Sequence, residues 1–131
     1  MPEEKTFSIS ADPEGFTRLV FVNSDTPERF EEFKLFGQKI VDTITETYGQ
    51  THEKVRTLVD LTYLTKYSPR SIAALVDVLN KTQQHTLKTA TFGARPDILL
   101  AQKAVTALAG RDNIRAFKTE HEAKMWLLAK H

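Results

Sequence analysis

Alternating hydrophobic and polar residues open the chain and predict two short β-strands. Phe7 and Ile9 alternate with polar neighbours, and a second apolar run extends from Phe16 to Val22. Between them lies the sequence Asp-Pro-Glu-Gly at residues 12–15, in which proline presets φ and glycine accepts a positive φ. The pattern therefore predicts a β-hairpin at the start of the chain.

A long helix is predicted after the hairpin. Thr26 is a suitable N-cap, Pro27 suits the first helical position, and Gly49 is expected to end the helix. The residues expected to face the core recur at helical spacing: Phe30, Phe33, Ile40, Ile44 and Tyr48. Gly37 lies within that face and costs helix stability, which suggests that another backbone approaches closely there. Phe36 lies at the border of the face and is expected to be an exposed contact residue.

Strands and helices alternate through the rest of the chain. The further predicted strands are Val55–Leu61, Thr86–Phe92 and Ile114–Phe117, and the first is apolar enough to be central in a sheet. Helices are predicted to begin at Pro69, at Pro96 and after a capping box at residues 119–122, with Gly110 ending the second of them. The residues expected to face inward are Ile72, Leu75, Val76 and Leu79, then Ile98, Ala101, Val105 and Leu108, then Ala123, Trp126 and Leu127.

The resulting order of elements is β-β-α-β-α-β-α-β-α. Strands that alternate with helices pair in parallel through helical crossovers, whereas the opening hairpin is antiparallel. The predicted fold class is therefore α/β, with a mixed, roughly five-stranded sheet covered by helices. A chain of 131 residues without a linker or repeat is expected to form a single domain over residues 1–131.

The composition of the chain argues against several classes of function. The net charge is +1, so no overall field would draw the chain to nucleic acid or to an anionic membrane. No apolar run approaches the roughly 20 residues that span a bilayer, so no membrane insertion is expected. The chain contains no cysteine, which removes disulfides, thiol nucleophiles and cysteine metal sites. Because the polar amino terminus also lacks the pattern of a secretory signal, we expect a cytoplasmic protein.

Four segments of the sequence are informative in combination. They are residues 55–62 (VRTLVDLT), a central strand with Asp60 at its end, and the segments Ser71–Leu75, Ile114–Phe117 and Glu122–Leu127. Together they resemble the STAS domain, the fold of bacterial anti-sigma-factor antagonists, and most of all its SpoIIAA-like branch. The resemblance covers nearly the whole chain, and it implies the α/β order above and a regulatory role through a protein partner.

The resemblance also bears on a phosphorylation switch. Anti-sigma-factor antagonists carry an Asp-Ser-Ser/Thr-Gly signature where the second helix begins, and phosphorylation of its first serine switches partner binding. Counted without gaps from Asp60, the signature positions fall on Ser68, Pro69, Arg70 and Ser71. Proline cannot accept a phosphoryl group, Ser68 fits only with a shift of one residue, and Ser71 needs a larger shift. We therefore predict a STAS-like protein without the usual switch, with Ser68 and Ser71 as the remaining candidate phosphoacceptors.

Two loops are expected to meet at one edge of the sheet, because loops after the carboxyl ends of parallel strands line a shared crevice. These loops are residues 62–69 and 92–97. The candidate ligand- or partner-binding residues on and beside them are Tyr63, Lys66, Tyr67, Ser68, Arg70, Gly93 and Arg95. The free amides of two helix starts would suit an anion or a polar head group. Structural roles remain open for Ser68 as a helix cap, Gly93 as a tight turn and Arg95 as a solvated side chain.

The sequence carries no arrangement typical of catalysis or metal binding. The histidines, His52, His85, His121 and His131, fall in different elements without ligand spacing, and no nucleotide-binding glycine motif or nucleophile motif occurs. Asp60 is expected to accept hydrogen bonds from loop amides. We therefore expect no catalytic residue, no metal and no cofactor.

Two functions of different class follow from these observations. The first hypothesis is a non-catalytic STAS-like binding module that engages a protein partner, or a second copy of itself, through the surface from Tyr63 to Arg70 and Arg95. The second is a small-molecule or lipid sensor with a pocket between the first helix and the sheet, suggested by the aromatic residues of that helix and by Gly37. A third, an enzyme of unrecognised type, would need perturbed titratable groups clustered in a cavity.

Overall fold

A five-stranded sheet forms the centre of the protein in a computed structural model, which describes residues 6–24 and 26–129. The strands are β1 (Ser8–Ala11), β2 (Thr17–Val20), β3 (Val55–Asp60), β4 (Thr86–Phe92) and β5 (Ile114–Phe117). The helices are α1 (Pro27–Thr51), α2 (Pro69–Thr82), α3 (Pro96–Ala109) and α4 (Glu120–Leu128), and a short 3-10 turn, Gln83–His85, follows α2. The predicted order of elements is confirmed.

The strands lie in the sheet in the order in which they occur along the chain. Strands β1 and β2 pair antiparallel, as the turn between them requires, and β2, β3, β4 and β5 pair in parallel. Each parallel pair is joined by a helical crossover. The carboxyl ends of β2, β3 and β4 consequently lie at one edge of the sheet, called here the carboxyl edge.

Helix starts follow local chemistry closely. The side chains of Thr26, Ser68 and Thr119 each accept a hydrogen bond, of 3.2 Å, from the backbone N–H three residues later, which satisfies a free amide of the first turn. The expected end of α1 is wrong, because the helix continues past Gly49. It is His52 that adopts the left-handed conformation (φ 59°), and its N–H donates to the Tyr48 carbonyl at 2.7 Å.

The sheet separates two hydrophobic layers. The larger layer lies under α1, α2 and α3 and contains Leu19, Phe21, Phe33, Phe36, Ile40, Ile44, Val55, Val59, Leu61, Val78 and Ile98. The smaller layer lies under α4 and contains Phe16, Leu58, Ala90, Phe92, Ala123 and Leu127, with Trp126 packed against it. Alternate residues of β3 point to opposite layers, as the period of a strand requires.

Three expectations about α1 and α3 are corrected by the packing. Phe36 is buried rather than exposed, because the opening hairpin covers it, with the rings of Phe7 and Phe21 at centroid distances of 5.1 and 5.3 Å. The close neighbour of Gly37 is a side chain and not a backbone: a Cβ added there would lie 3.0 Å from Cγ2 of Val78 in α2. Leu108, expected to face inward, is 69% exposed on the outer face of α3.

Two buried cations, one on β4 and one in the loop between α3 and β5, hold the carboxyl ends of helices in place. The Lys88 ammonium donates to the carbonyls of Trp126 and Ala129 at 3.0 and 2.9 Å, where α4 ends. The Arg111 guanidinium donates to the Leu79 carbonyl in the last turn of α2 at 3.1 Å. Burial lowers the pKa of both groups. Positive charge at helix carboxyl ends is stabilising, and these contacts give both cations a structural role.

Candidate functional site

Strands β3 and β4 remain paired up to the carboxyl edge, where their loops come together. The N–H of Leu61 donates to the Phe92 carbonyl at 3.0 Å. The loops that follow β3 and β4 therefore begin next to each other. Gly93 has a φ of 79°, and a Cβ added to it would clash with Oγ1 of Thr62. Glycine at this position therefore permits both the turn and the close approach of the two loops. The packing explains Gly93 without requiring that it contact a ligand.

Asp60 stabilises the turn that leaves β3. Its side chain is buried, and Oδ1 accepts a hydrogen bond of 2.9 Å from the N–H of Thr62. This bond confirms the expectation that Asp60 accepts hydrogen bonds from loop amides.

Asn23, which the sequence analysis did not select, holds the loop after β3 in place. Its Oδ1 accepts hydrogen bonds from the backbone N–H groups of Thr65 and Lys66 at 2.8 and 3.0 Å. Its Nδ2 donates to the Thr65 hydroxyl at 2.9 Å. One side chain from the loop after β2 therefore fixes the backbone that presents Lys66 and Tyr67. The sequence position of Asn23 could have indicated this role, because Asn23 follows β2, a parallel strand that ends at the same edge as β3.

A cluster of serine hydroxyls lies at the start of α2. Ser68 caps the helix, and its hydroxyl also donates to Oγ of Ser71 at 3.0 Å. The hydroxyl oxygens of Ser71 and Ser24 lie 2.5 Å apart and share a hydrogen bond. Ser24 and Ser71 are buried, whereas Ser68 is half-buried. The three hydroxyls join the loop after β2 to α2, and the contribution of Ser24 was not foreseen from the sequence.

Around these supports lie five exposed side chains and the half-buried Ser68, which together are called here the edge surface: Tyr63, Lys66, Tyr67, Ser68, Arg70 and Arg95. Tyr63 and Tyr67 are 39% and 46% exposed. The Arg70 guanidinium lies over the ring of Phe30 in α1, 4.1 Å from its centroid, which restrains an otherwise mobile side chain. The Arg95 Nε lies 3.9 Å from a carboxylate oxygen of Asp97, and both side chains are mostly exposed. The edge surface thus combines aromatic rings with positive charge.

A cavity of about 130 Å³ lies between the sheet and helices α1, α2 and α3, and is called here the sheet cavity. Most of its lining residues are apolar, and several of these are buried, including Val59, Ile98 and Val105. The exposed residues of its lining are Lys66 and Tyr67. The cavity therefore reaches the surface at the carboxyl edge, beside the edge surface.

The described part of the chain brings no ligand set for a metal together. Among residues 6–24 and 26–129, no group of three or more His, Asp or Glu side chains lies close enough to hold an ion. His52, His85 and His121 lie in separate places, with His85 stacked on Tyr48 at a centroid distance of 4.4 Å, and His131 lies outside the described residues. No helix in these ranges is both long enough and apolar enough to cross a bilayer.

The chain is similar to the solved structure of the anti-sigma factor antagonist SpoIIAA in its unphosphorylated form, with a TM-score of 0.62 and 10% sequence identity. The similarity covers 93% of this chain and 97% of that one. No protein-family model matches the sequence, and no curated protein sequence matches it. The predicted SpoIIAA-like fold is confirmed, and at this identity the likeness concerns the fold.

Proposed function

We propose that this protein is a non-catalytic regulatory module that binds a protein partner through the edge surface. The observation that carries the proposal is the exposure of two tyrosines and of the cations Lys66, Arg70 and Arg95, beside a loop and a helix start that side-chain hydrogen bonds from Asn23 and Ser24 hold in place. Tyrosine and arginine dominate the binding energy of protein interfaces. A backbone that is already ordered loses little entropy on binding.

The charge of the edge surface favours a partner with acidic groups. Lys66, Arg70 and Arg95 are cationic, and among the described residues Asp97 contributes a carboxylate oxygen 3.9 Å from Arg95 Nε. Lys66 lies beside Tyr67, so a cation and an aromatic ring are adjacent in this loop. Complementary charge speeds association and selects among partners. We therefore propose an acidic protein surface, or an acidic face of a second copy, as the partner.

We also propose that this module lacks the phosphoserine switch. Pro69 occupies the first position of α2, Ser68 is used as its cap, and Ser71 is buried against Ser24. A kinase would have to open this helix start to reach the Ser71 hydroxyl. A cytoplasmic location, which fits the cysteine-free sequence, is part of the same proposal.

Site-specific crosslinking tests the surface directly. A photoreactive phenylalanine analogue replaces Tyr67 in the full chain, which is then expressed in its native cells. On irradiation we expect a discrete covalent adduct with one protein, and we expect Arg70→Glu to reduce its yield several-fold. The control places the same analogue at exposed Leu108, which lies at the other end of α3, about 20 Å from Arg95. No adduct at position 67, or equal adducts at both positions, would contradict the proposal, and an adduct of twice the mass would identify self-association.

A second candidate function is a small-molecule sensor, and the sheet cavity is the observation that favours it. The cavity borders α1 through Phe33, Ile40 and Ile44, where the aromatic residues and Gly37 suggested a pocket. Native mass spectrometry of the purified protein tests this function. A small mass that is lost only on denaturation supports a sensor, and a clean apo mass with no thermal shift from lipids or small aromatic compounds counts against it.

A further inference from the structure

One buried hydroxyl on the inner face of the sheet is left without a partner. Thr57 is 2% exposed, and its Oγ1 has no hydrogen-bond partner among the described residues. Other buried threonines of this region are satisfied: Thr91 donates to Oε1 of Gln102 at 2.8 Å, and Thr86 donates to the Thr82 carbonyl at 2.9 Å. Buried polar groups in native proteins are nearly always paired, so an unpaired hydroxyl needs an explanation.

The position of Thr57 supplies that explanation. Thr57 lines the sheet cavity, and so do Val59 of the same strand and Ile98 and Val105 of α3. Valine has almost the same shape as threonine and would fill the same place without burying a hydroxyl. A threonine here is therefore useful only if its hydroxyl meets something inside the cavity.

Size and charge define what the sheet cavity accepts. Its volume, about 130 Å³, is close to that of an engineered apolar cavity of about 150 Å³ that binds benzene. Its lining residues include no carboxylate, and the one cationic side chain, that of Lys66, is exposed at the mouth. An ion inside would lose its hydration without gaining a counter-charge. The occupant is therefore compact and neutral.

We propose that the sheet cavity binds a compact, neutral, mainly apolar molecule of about the size of one aromatic ring, and that its single polar group forms a hydrogen bond with the Thr57 hydroxyl. The inference rests on the second candidate function, because it gives the sensor a ligand class and a recognition residue. It is independent of the partner that the edge surface binds. A hydroxyl suits this role because it both donates and accepts.

Phenol and toluene test the proposal as a matched pair, since they differ in a hydroxyl and a methyl group, as Thr57 and its valine variant do. Dissociation constants are measured by NMR titration of the full-length protein and of Thr57→Val. We expect both compounds to shift signals of residues around the cavity. We expect the variant to bind phenol about threefold to tenfold more weakly, the value of one net hydrogen bond, and to bind toluene at least as tightly as the wild type.

The control is Thr17→Val. Thr17 is buried, pairs with Thr57 across β2 and β3, and does not line the cavity, so its variant should leave the ratio of phenol to toluene affinity unchanged. If neither compound shifts the cavity residues of the wild type at millimolar concentration, the ligand site is refuted. If both bind but the affinity ratio is the same in Thr57→Val, the role of Thr57 is refuted while the sensor function survives. Neither outcome depends on crosslinking at position 67.

Discussion

Replacement of Thr57 by valine should make the ligand-free protein more stable, which is unusual for a change in a buried strand. The side chain is 2% exposed, and its hydroxyl has no partner within the described ranges. Valine keeps the β-branched shape that suits a strand. The substitution therefore removes a desolvated polar atom and leaves the packing of β3 on its neighbours in place.

The expected magnitude follows from the cost of that atom. A buried donor or acceptor without a partner costs about 1–3 kcal/mol, and water that enters the cavity would recover part of it. We expect Thr57→Val to raise the free energy of unfolding by about 1 kcal/mol. The matched variant is Thr91→Val, on β4 and also buried. Because Thr91 donates to Gln102 at 2.8 Å, its loss breaks a bond and strands an amide oxygen, and we expect a decrease of about 1–2 kcal/mol.

Urea unfolding followed by circular dichroism measures both changes at constant slope m. Opposite signs for the two variants support the reasoning. If Thr57→Val destabilises the protein as much as Thr91→Val does, the Thr57 hydroxyl already has a strong partner in the folded state, and the argument for an unpaired group fails. A change in m would instead indicate an altered folded or unfolded state and would require a second, conservative variant, Thr57→Ser, which retains the hydroxyl and should not stabilise.

Further predictions concern α1 and a buried cation. Gly49→Ala should raise the free energy of unfolding by roughly 0.5–1 kcal/mol, because an added Cβ meets nothing within 4 Å; Gly37→Ala should lose that gain, since its Cβ would lie 3.0 Å from Val78. Equal gains in urea unfolding would contradict the close packing of α1 on α2. Burial, and secondarily Arg56, lowers the pKa of Lys88 below 10.5, so the unfolded chain binds more protons just below pH 10.5 and stability rises with pH there. Lys88→Met should lack that rise when unfolding is compared at neutral and alkaline pH.

Local chemistry made much of the fold predictable. Thr26, Ser68 and Thr119 cap helices where the sequence placed them, because the capping hydroxyl and the amide that it accepts from lie three residues apart. The parallel order follows from the alternation of strands and helices, and it brings the loops of Thr62 and Gly93 together as expected. The extension of one domain over all of residues 1–131 stays a prediction.

Features that depend on distant packing were not predictable. Phe36 lies at the border of its helical face, and only the position of the hairpin decides that it is buried. Leu108 has the spacing of a core residue, but α3 is apolar on more than one face, so periodicity could not locate the inward side. Asn23 owes its role to hydrogen bonds with residues more than 30 positions away. Thr57 owes its role to the lack of a hydrogen-bond partner among the described residues, which the sequence does not reveal.

The two proposed sites share structure, and this bears on how such a module could be regulated. Lys66 and Tyr67 belong to the edge surface and also line the mouth of the sheet cavity, and Ser71 of α2 lines it as well. A ligand in the cavity would therefore contact the residues that hold and form the partner surface. Because coupling between two binding sites is reciprocal, the factor by which a cavity ligand changes the affinity for the partner equals the factor by which the partner changes the affinity for that ligand. If the proposed ligand binds, it would occupy the cavity beside Ser71 in the first turn of α2 and would thereby act on the helix start that forms part of the proposed partner surface.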